Sequence, residues 1–197
     1  MAHIFVGLGN PGEEYKDTRH NSGRILLTHI AKSLDAEWKQ DKKLNAEVAK
    51  LKIGKSPVVF VLPNTFMNKS GVSVKPLITS LKSAEKMMVV YDELDLPFGA
   101  NKLSFNKSSG GHKGVESIIK AIKTEKFARV RVGISPKTPS GKIKKPKGED
   151  AVTKVILGKF KDEELLALKK LSKTLLETME VFVTDGLSMA TTFFNSK

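Results

Sequence analysis

Several short polar stretches in this chain carry side chains able to move protons or meet a developing negative charge. Asn10 stands in Gly7-Leu8-Gly9-Asn10-Pro11-Gly12, and His20 follows in Tyr15-Lys16-Asp17-Thr18-Arg19-His20-Asn21-Ser22. Asn68 lies in Asn64-Thr65-Phe66-Met67-Asn68-Lys69-Ser70-Gly71, Asp92 opens Asp92-Glu93-Leu94-Asp95-Leu96-Pro97, and His112 and Lys113 close Ser108-Ser109-Gly110-Gly111-His112-Lys113-Gly114. A neutral imidazole can take a proton from water near pH 7, and a carboxylate on its other nitrogen fixes the tautomer and raises the basicity. Amides placed beside it can donate to an oxyanion. Each stretch also has a plainer reading. His20 could be a surface or capping histidine, Asn68 could cap a helix, and the Gly110-Gly111 stretch could be only a flexible loop. The paired acids could hold a divalent metal, although no histidine stands at ligand spacing beside them. His29, on the apolar stripe of a helix, reads as a core histidine, and His3 as an ordinary residue near the terminus.

The Gly7–Gly12 segment matches G-x-G-x-x-G after a strand, with Asp35 where a ribose-binding acid would stand. The dinucleotide reading fails on its own physics. That motif needs a helix N-terminus at the third glycine so that N–H groups face the pyrophosphate. Pro11 removes one such donor, and the helical pattern begins only near Ser22. The glycines instead suit a turn that presents Asn10 at a strand's end. No G-x-S-x-G stretch is present and the cysteine count is 0, so the usual marks of a serine or cysteine nucleophile are missing. A histidine–carboxylate pair acting on water remains.

Strand-like and helix-like patterns alternate, which reads as α/β. Strands are expected at His3–Val6, Val48–Ile53, Val58–Leu62, Met87–Tyr91, Asn101–Phe105 and Val130–Ile134. The second and third should form a hairpin about Gly54–Pro57, and the last puts Arg129 and Arg131 on its second face. Helices are expected from Ser22 to Leu34, from Val72 to Leu81 with a kink or start near Pro76, from Val115 to Ile122, and from Leu165 to Phe182, with a short one after Gly186. Residues 135–150 mix Pro136, Pro139, Gly141, Pro146 and Gly148 with Lys137, Lys142, Lys144, Lys145 and Lys147, which reads as a mobile basic loop. With 197 residues and no linker, a single domain over 1–197 is expected.

Lys and Arg number 34 against 21 Asp and Glu, a net +13, which favours an anionic partner such as nucleic acid. A Lys-rich proteome or a solubility adaptation would give the same excess. Most of it is Lys, suited to phosphate more than to base edges. No apolar run approaches the ~18 residues a membrane span needs, and the N-terminus lacks a secretory pattern. Without cysteine the chain fits a reducing compartment, and a soluble, cytoplasmic protein is expected.

The ordered segments VGLGNPG, Tyr15 with TRHN, TFMN with SG, DELDLP, GGHKG and RVGI, with FVTDG near the end, resemble the bacterial-type peptidyl-tRNA hydrolases over almost the whole chain. The resemblance implies one mixed, twisted sheet flanked by helices. It also implies hydrolysis of the ester between a peptide and the tRNA 3′ adenosine, recycling tRNA in translation. It makes His20 the general base and Asp92 its orienting carboxylate. Asn10 and Asn68 become amides for substrate, water or oxyanion, and His112 the second histidine of the cleft. Tyr15, Phe66 and Met67 would wall the groove for peptide and terminal adenosine, and Arg131 would be half of a clamp on the tRNA 5′ phosphate. Cofactors and metals are not expected, peptidyl-tRNA is the expected partner, and the protein should be a monomer. Two departures stand out. Lys113 replaces an Asn that many relatives carry, and Ser104 replaces a Lys of some relatives, leaving Lys102 or Lys107 to complete the clamp. A non-catalytic RNA-binding relative of the same fold is the competing reading.

Overall fold

Seven strands are formed: β1 (His3–Gly7), β2 (Lys39–Asp41), β3 (Ala46–Ile53), β4 (Ser56–Pro63), β5 (Met87–Pro97), β6 (Asn101–Phe105) and β7 (Ala128–Ser135). The helices are α1 (Ser22–Ser33), α2 (Gly71–Val74), α3 (Leu81–Glu85), α4 (Lys113–Ile122), α5 (Glu149–Ile156), α6 (Asp162–Thr184) and α7 (Leu187–Asn195). The structure, a computed structural model, describes residues 1–138, 143 and 145–197. All seven strands join one mixed sheet in the order β2-β3-β4-β1-β5-β7-β6. The central β4-β1-β5-β7 run is parallel, and β2, β3 and β6 add antiparallel edges.

Alternation along the strands feeds two cores. Phe5, Met88 and Val90 pack with Leu26 and Leu27 of α1 and Leu175 and Met179 of α6. Ile4, Val6, Val89 and Tyr91 point the other way, onto Val115 and Ile118 of α4. The order of the strands then decides where a cleft can form. The chain leaves β1 for β4 on one side and passes from β4 to β5 on the other, so the carboxyl ends of β1, β4 and β5 diverge at a switch point, where open α/β sheets bind ligands. Close approach of α1 to this edge needs glycine. A Cβ on Gly23 would lie 2.0 Å from the Val90 carbonyl oxygen.

Several expectations change in detail. The helix expected over Val72–Leu81 is broken: α2 stops at Val74, a helical turn Lys75–Leu77 holds Pro76, and Ile78 is extended before α3. Pro76 lacks an N–H and its ring crowds the preceding turn. β5 does not end at Tyr91 but carries the acidic stretch through Pro97, with a register shift between Glu93 and Pro97. β2 and α5 were not legible, the first a short exposed Lys-Gln-Asp edge, the second lacking a buried residue. The expected basic loop is narrower than 135–150, because Ser135 ends β7 and Glu149 starts α5. Its residues 139–142 and 144 lie outside the described ones; Lys137 pairs with Ile143, and the Lys145 ammonium contacts the Asp95 carboxylate. Asp35 is exposed in the turn after α1 at φ +50, with no strand leading into it, so no ribose-binding position exists there. His29 is half-buried and beside a hollow, not in the core as its spacing suggested. Among the described residues no helix is long and apolar enough to cross a membrane.

Candidate active site

At the diverging strand ends, three groups remote in sequence meet. Asp92, on β5, is 3% exposed. His20 Nδ1 stands 2.9 Å from its Oδ1 and 3.0 Å from its Oδ2, and His112 Nε2 stands 2.9 Å from Oδ1. The two imidazole centroids are 5.1 Å apart. Hydrogen bonds around the rings assign the protons. His112 caps α4, its Nδ1 accepting from the Val115 N–H at 3.3 Å, so Nε2 carries the proton given to Asp92. His20 donates from Nδ1, which leaves Nε2 with a lone pair and no protein partner among the described residues.

The charges reinforce this. Burial opposes ionisation of Asp92, but the two histidines outweigh it and hold its carboxyl far below the usual range. Burial likewise opposes the imidazolium of His20, and the Asp92 charge with its hydrogen bond overcomes that, so His20 sits above its ordinary value. Tyr91, whose ring lies 4.8 Å from that of His112, has its hydroxyl pushed up to about 12 by burial and the nearby Glu93 charge, against the pull of Arg129 and Arg131. The donor atoms of His20, Asp92 and His112 lie within 4.8 Å of one another, a spacing that could hold a metal ion. Sequence spacing had argued against a histidine near the acids, and the fold brings two. Here both histidines bond directly to Asp92.

Asn10 approaches from the β1 end. Its N–H donates to Asn21 Oδ1 at 2.8 Å, and Asn21 Nδ2 returns a bond to the Asn10 carbonyl at 2.9 Å. Asn21 is the N-cap of α1 yet makes no side-chain cap bond, because its amide is committed to Asn10. Asn10 Oδ1 accepts the Met67 N–H at 2.8 Å, which fixes the flip of the amide and leaves its N–H₂ with no hydrogen-bond partner among the described residues. Met67 is buried beneath, against Gly114 of α4, while Phe66 is 60% exposed.

The remaining expected residues are placed less tightly. Asn68 is exposed within the helical turn Met67–Lys69; its side chain caps no helix and has no hydrogen-bond partner among the described residues. Tyr15 is half-buried in the turn Glu13–Tyr15, and Lys113 is the exposed first residue of α4. Lys102 lies directly across from Arg131 in the β6–β7 register, on one face of the sheet. Arg131 Nε donates to Glu93 at 2.9 Å, its outer nitrogens have no hydrogen-bond partner among the described residues, and it shares a hollow of about 240 Å³ with Lys107, Glu93 and Asp95. A larger hollow of about 420 Å³ opens beside Asn10 and is lined by Lys16, Arg24 and His29, not by the triad.

Arg129 was missed as anything more than a strand residue. It is 0% exposed, gives Nη1 to the Ser108 carbonyl at 2.7 Å and lies 4.5 Å over the Phe127 ring. It thereby anchors the loop that carries His112. An arginine alternating onto a strand's covered face was the available signal.

The model of the family described as Peptidyl-tRNA hydrolase matches residues 4–197. The chain belongs to the peptidyl-tRNA hydrolase family. A peptidyl-tRNA hydrolase of Aquifex aeolicus is 42% identical over 183 residues, covering 90% of each chain, and one of Deinococcus deserti is 39% identical over 98% of this chain and 84% of its own. The crystal structure of peptidyl-tRNA hydrolase from Acinetobacter baumannii superposes with a TM-score of 0.86 at 30% identity, covering 99% of this chain and 95% of that one. The mixed sheet and flanking helices are thus the fold of the peptidyl-tRNA hydrolases.

Proposed function

We propose that this peptidyl-tRNA hydrolase cleaves the ester between peptide and tRNA with water activated by His20, as a monomer in the cytoplasm and without a metal. The observation that carries the mechanism is the free Nε2 of His20 on a ring whose Nδ1–H is held by Asp92. Water bonded to Nε2 gives up its proton as its oxygen attacks the ester carbonyl. The imidazolium that forms is stabilised by Asp92. The Asn10 amide donates to the substrate or to the oxyanion, and Asn68 and Lys113 are open to do the same. Collapse of the tetrahedral species expels the ribose oxygen of the terminal adenosine, which takes the proton back from His20. Met67, Phe66 and Tyr15 form the apolar side of the substrate groove. Arg131, with Lys102 opposite and Lys107 beside it, meets the tRNA phosphate. Lys102 thereby supplies the cation that Ser104 lacks. Intact His20, Asp92 and Asn10 leave no observation that favours a non-catalytic RNA-binding role.

The test is release of peptide from an N-blocked aminoacyl-tRNA by wild type and His20→Ala, in the presence of a chelator. Wild type should turn over fully, and the variant should bind tRNA while losing about 10²–10⁴ in rate. Near-normal turnover by His20→Ala would remove His20 from this role.

A further inference from the structure

The residue beside the proposed base has a side chain that touches none of the reacting groups. Arg19 Nη2 lies 2.8 and 2.7 Å from the two carboxylate oxygens of Glu164, on the first turn of α6. Both side chains are only 15% exposed. The guanidinium carbon lies 4.9 Å from the Phe160 ring centroid and 5.9 Å from that of Phe98. Glu164 is itself held, because its Oε2 accepts the Lys161 N–H at 2.8 Å.

The backbone repeats the attachment. The Arg19 N–H donates to the Gly158 carbonyl at 3.0 Å, the Phe160 N–H to the Asp17 carbonyl at 2.9 Å, and Thr18 bridges Lys159. Residues 17–19 are thus fastened to 158–160, and the next residue is His20. On its far side Asn21 is locked to Asn10. The helical turn Arg19–Asn21 therefore hangs between two anchors, and only one of them reaches across to α6. A near-buried ion pair in which one Arg19 nitrogen is shared between both Glu164 oxygens, with rings beside it, is more than a surface contact, since neither partner is readily rehydrated in place.

We propose that Arg19 is a positioning residue, whose bond to Glu164 sets the turn so that the His20 ring stays on Asp92 and its Nε2 stays on the attacking water. This rests on the hydrolase reading. Arg19 does not touch substrate. Its effect passes through one peptide bond to a ring whose placement matters on the ångström scale, where a misplacement of about 1 Å can cost about 100-fold.

The variants are Glu164→Gln, Arg19→Lys and Arg19→Met, each compared with wild type by urea unfolding, tRNA binding, and kcat and KM for an N-blocked aminoacyl-tRNA. Folded Glu164→Gln and Arg19→Met should lose about 10- to 100-fold in kcat with KM little changed. Arg19→Lys should recover only part, since an ammonium keeps the charge on Glu164 but cannot lay a guanidinium plane against the Phe160 and Phe98 rings. His20 is faced by Asp92 and, at 5.1 Å between rings, by His112. A ring eased off Asp92 loses the attraction that holds its proton, so the acid limb of the pH–rate profile should move to lower pH. A merely structural role would lower the folded fraction and leave that limb where it is. Wild-type kcat in folded variants, or reduced kcat with an unmoved limb, overturns the proposal. The His20 titration followed by NMR in wild type and Glu164→Gln needs no turnover. An unchanged titration also overturns the role of Arg19, whereas failure of wild type to release peptide overturns the hydrolase reading alone.

Discussion

Replacing Asp92 by Asn changes one atom of the triad and no volume. In the folded protein Oδ1 accepts from both His20 Nδ1 and His112 Nε2 at 2.9 Å, and Oδ2 stands 3.0 Å from His20 Nδ1. An Asn oxygen at the Oδ1 position keeps two neutral acceptances but sets its N–H₂ against the His20 N–H. The opposite flip points donors at both histidines. In that flip the His20 N–H keeps the oxygen at the Oδ2 position but also meets the amide N–H₂, a clash relieved by moving the proton to Nε2, the nitrogen that must accept from water. Either way the anion facing the nascent imidazolium is gone, and bonds to charged groups are worth about 1.5–3 kcal/mol against about 0.5–1.5 for neutral ones. Loss of an oriented base with its counter-charge should cost about 10²–10⁴ in rate, or about 3–5 kcal/mol at roughly 1.4 kcal/mol per decade. Single-turnover release of an N-blocked aminoacyl group, across about pH 5 to 8 where histidine titrates, measures it. tRNA binding should be unchanged. With burial still opposing the imidazolium and no attraction left to offset it, the acid limb should shift to lower pH. A variant with near wild-type rate and an unmoved limb would refute the derivation.

Wild type itself should show an acid limb above about pH 6.5, the ordinary histidine value. Asp92 raises the proton affinity of His20, so the neutral base is lost as pH falls through that raised value; a limb at or below the ordinary value would contradict the ring's placement. Arg131→Ala should weaken tRNA binding about equally for all sequences and lower the slope of log Kd against log salt by about 1. An unchanged slope would take Arg131 out of phosphate contact. Gly23→Ala should lower the urea midpoint, because a Cβ would lie 2.0 Å from the Val90 oxygen and 2.8 Å from the Leu8 nitrogen. Forced movement of backbone there should cost about 1–3 kcal/mol, and a wild-type midpoint would show that α1 can retreat from the sheet freely.

Which residues could do chemistry was legible because polar side chains follow buried strands, and a buried strand announces itself. Asn10, His20 and Asp92 were found that way. Their meeting was not legible from spacing, because it depends on β4 and β5 lying on opposite sides of β1, a choice that no local pattern records. The same blindness produced the argument that no histidine stands near the acids, when His20 and His112 arrive from 72 and 20 residues away. Local errors had local causes. Pro76 was read as a kink or a start within one helix, although the four residues of α2 before it were too few to carry a helix past it. Arg129 was visible on its strand, yet its burial under the His112 loop follows from the Ser108 carbonyl, which the sequence does not position.

Two histidines bond to one carboxylate oxygen at the same 2.9 Å, yet they are not interchangeable. The asymmetry comes from the second nitrogen of each ring. On His112 that nitrogen caps α4, so the ring is fixed as a donor and has no lone pair for water. On His20 it has no partner among the described residues. His112 nevertheless matters to the base. While His20 is neutral, Asp92 is an anion 3% exposed, and an anion so buried is tolerated only where donors converge on it. The His112 N–H keeps Asp92 ionised and aimed before any proton has moved, so the charge that meets the imidazolium is already in place when water is attacked. Removing the His112 donor should therefore harm the rate without removing the base, and its effect should not add to that of losing Asp92, since both act through the same oxygen.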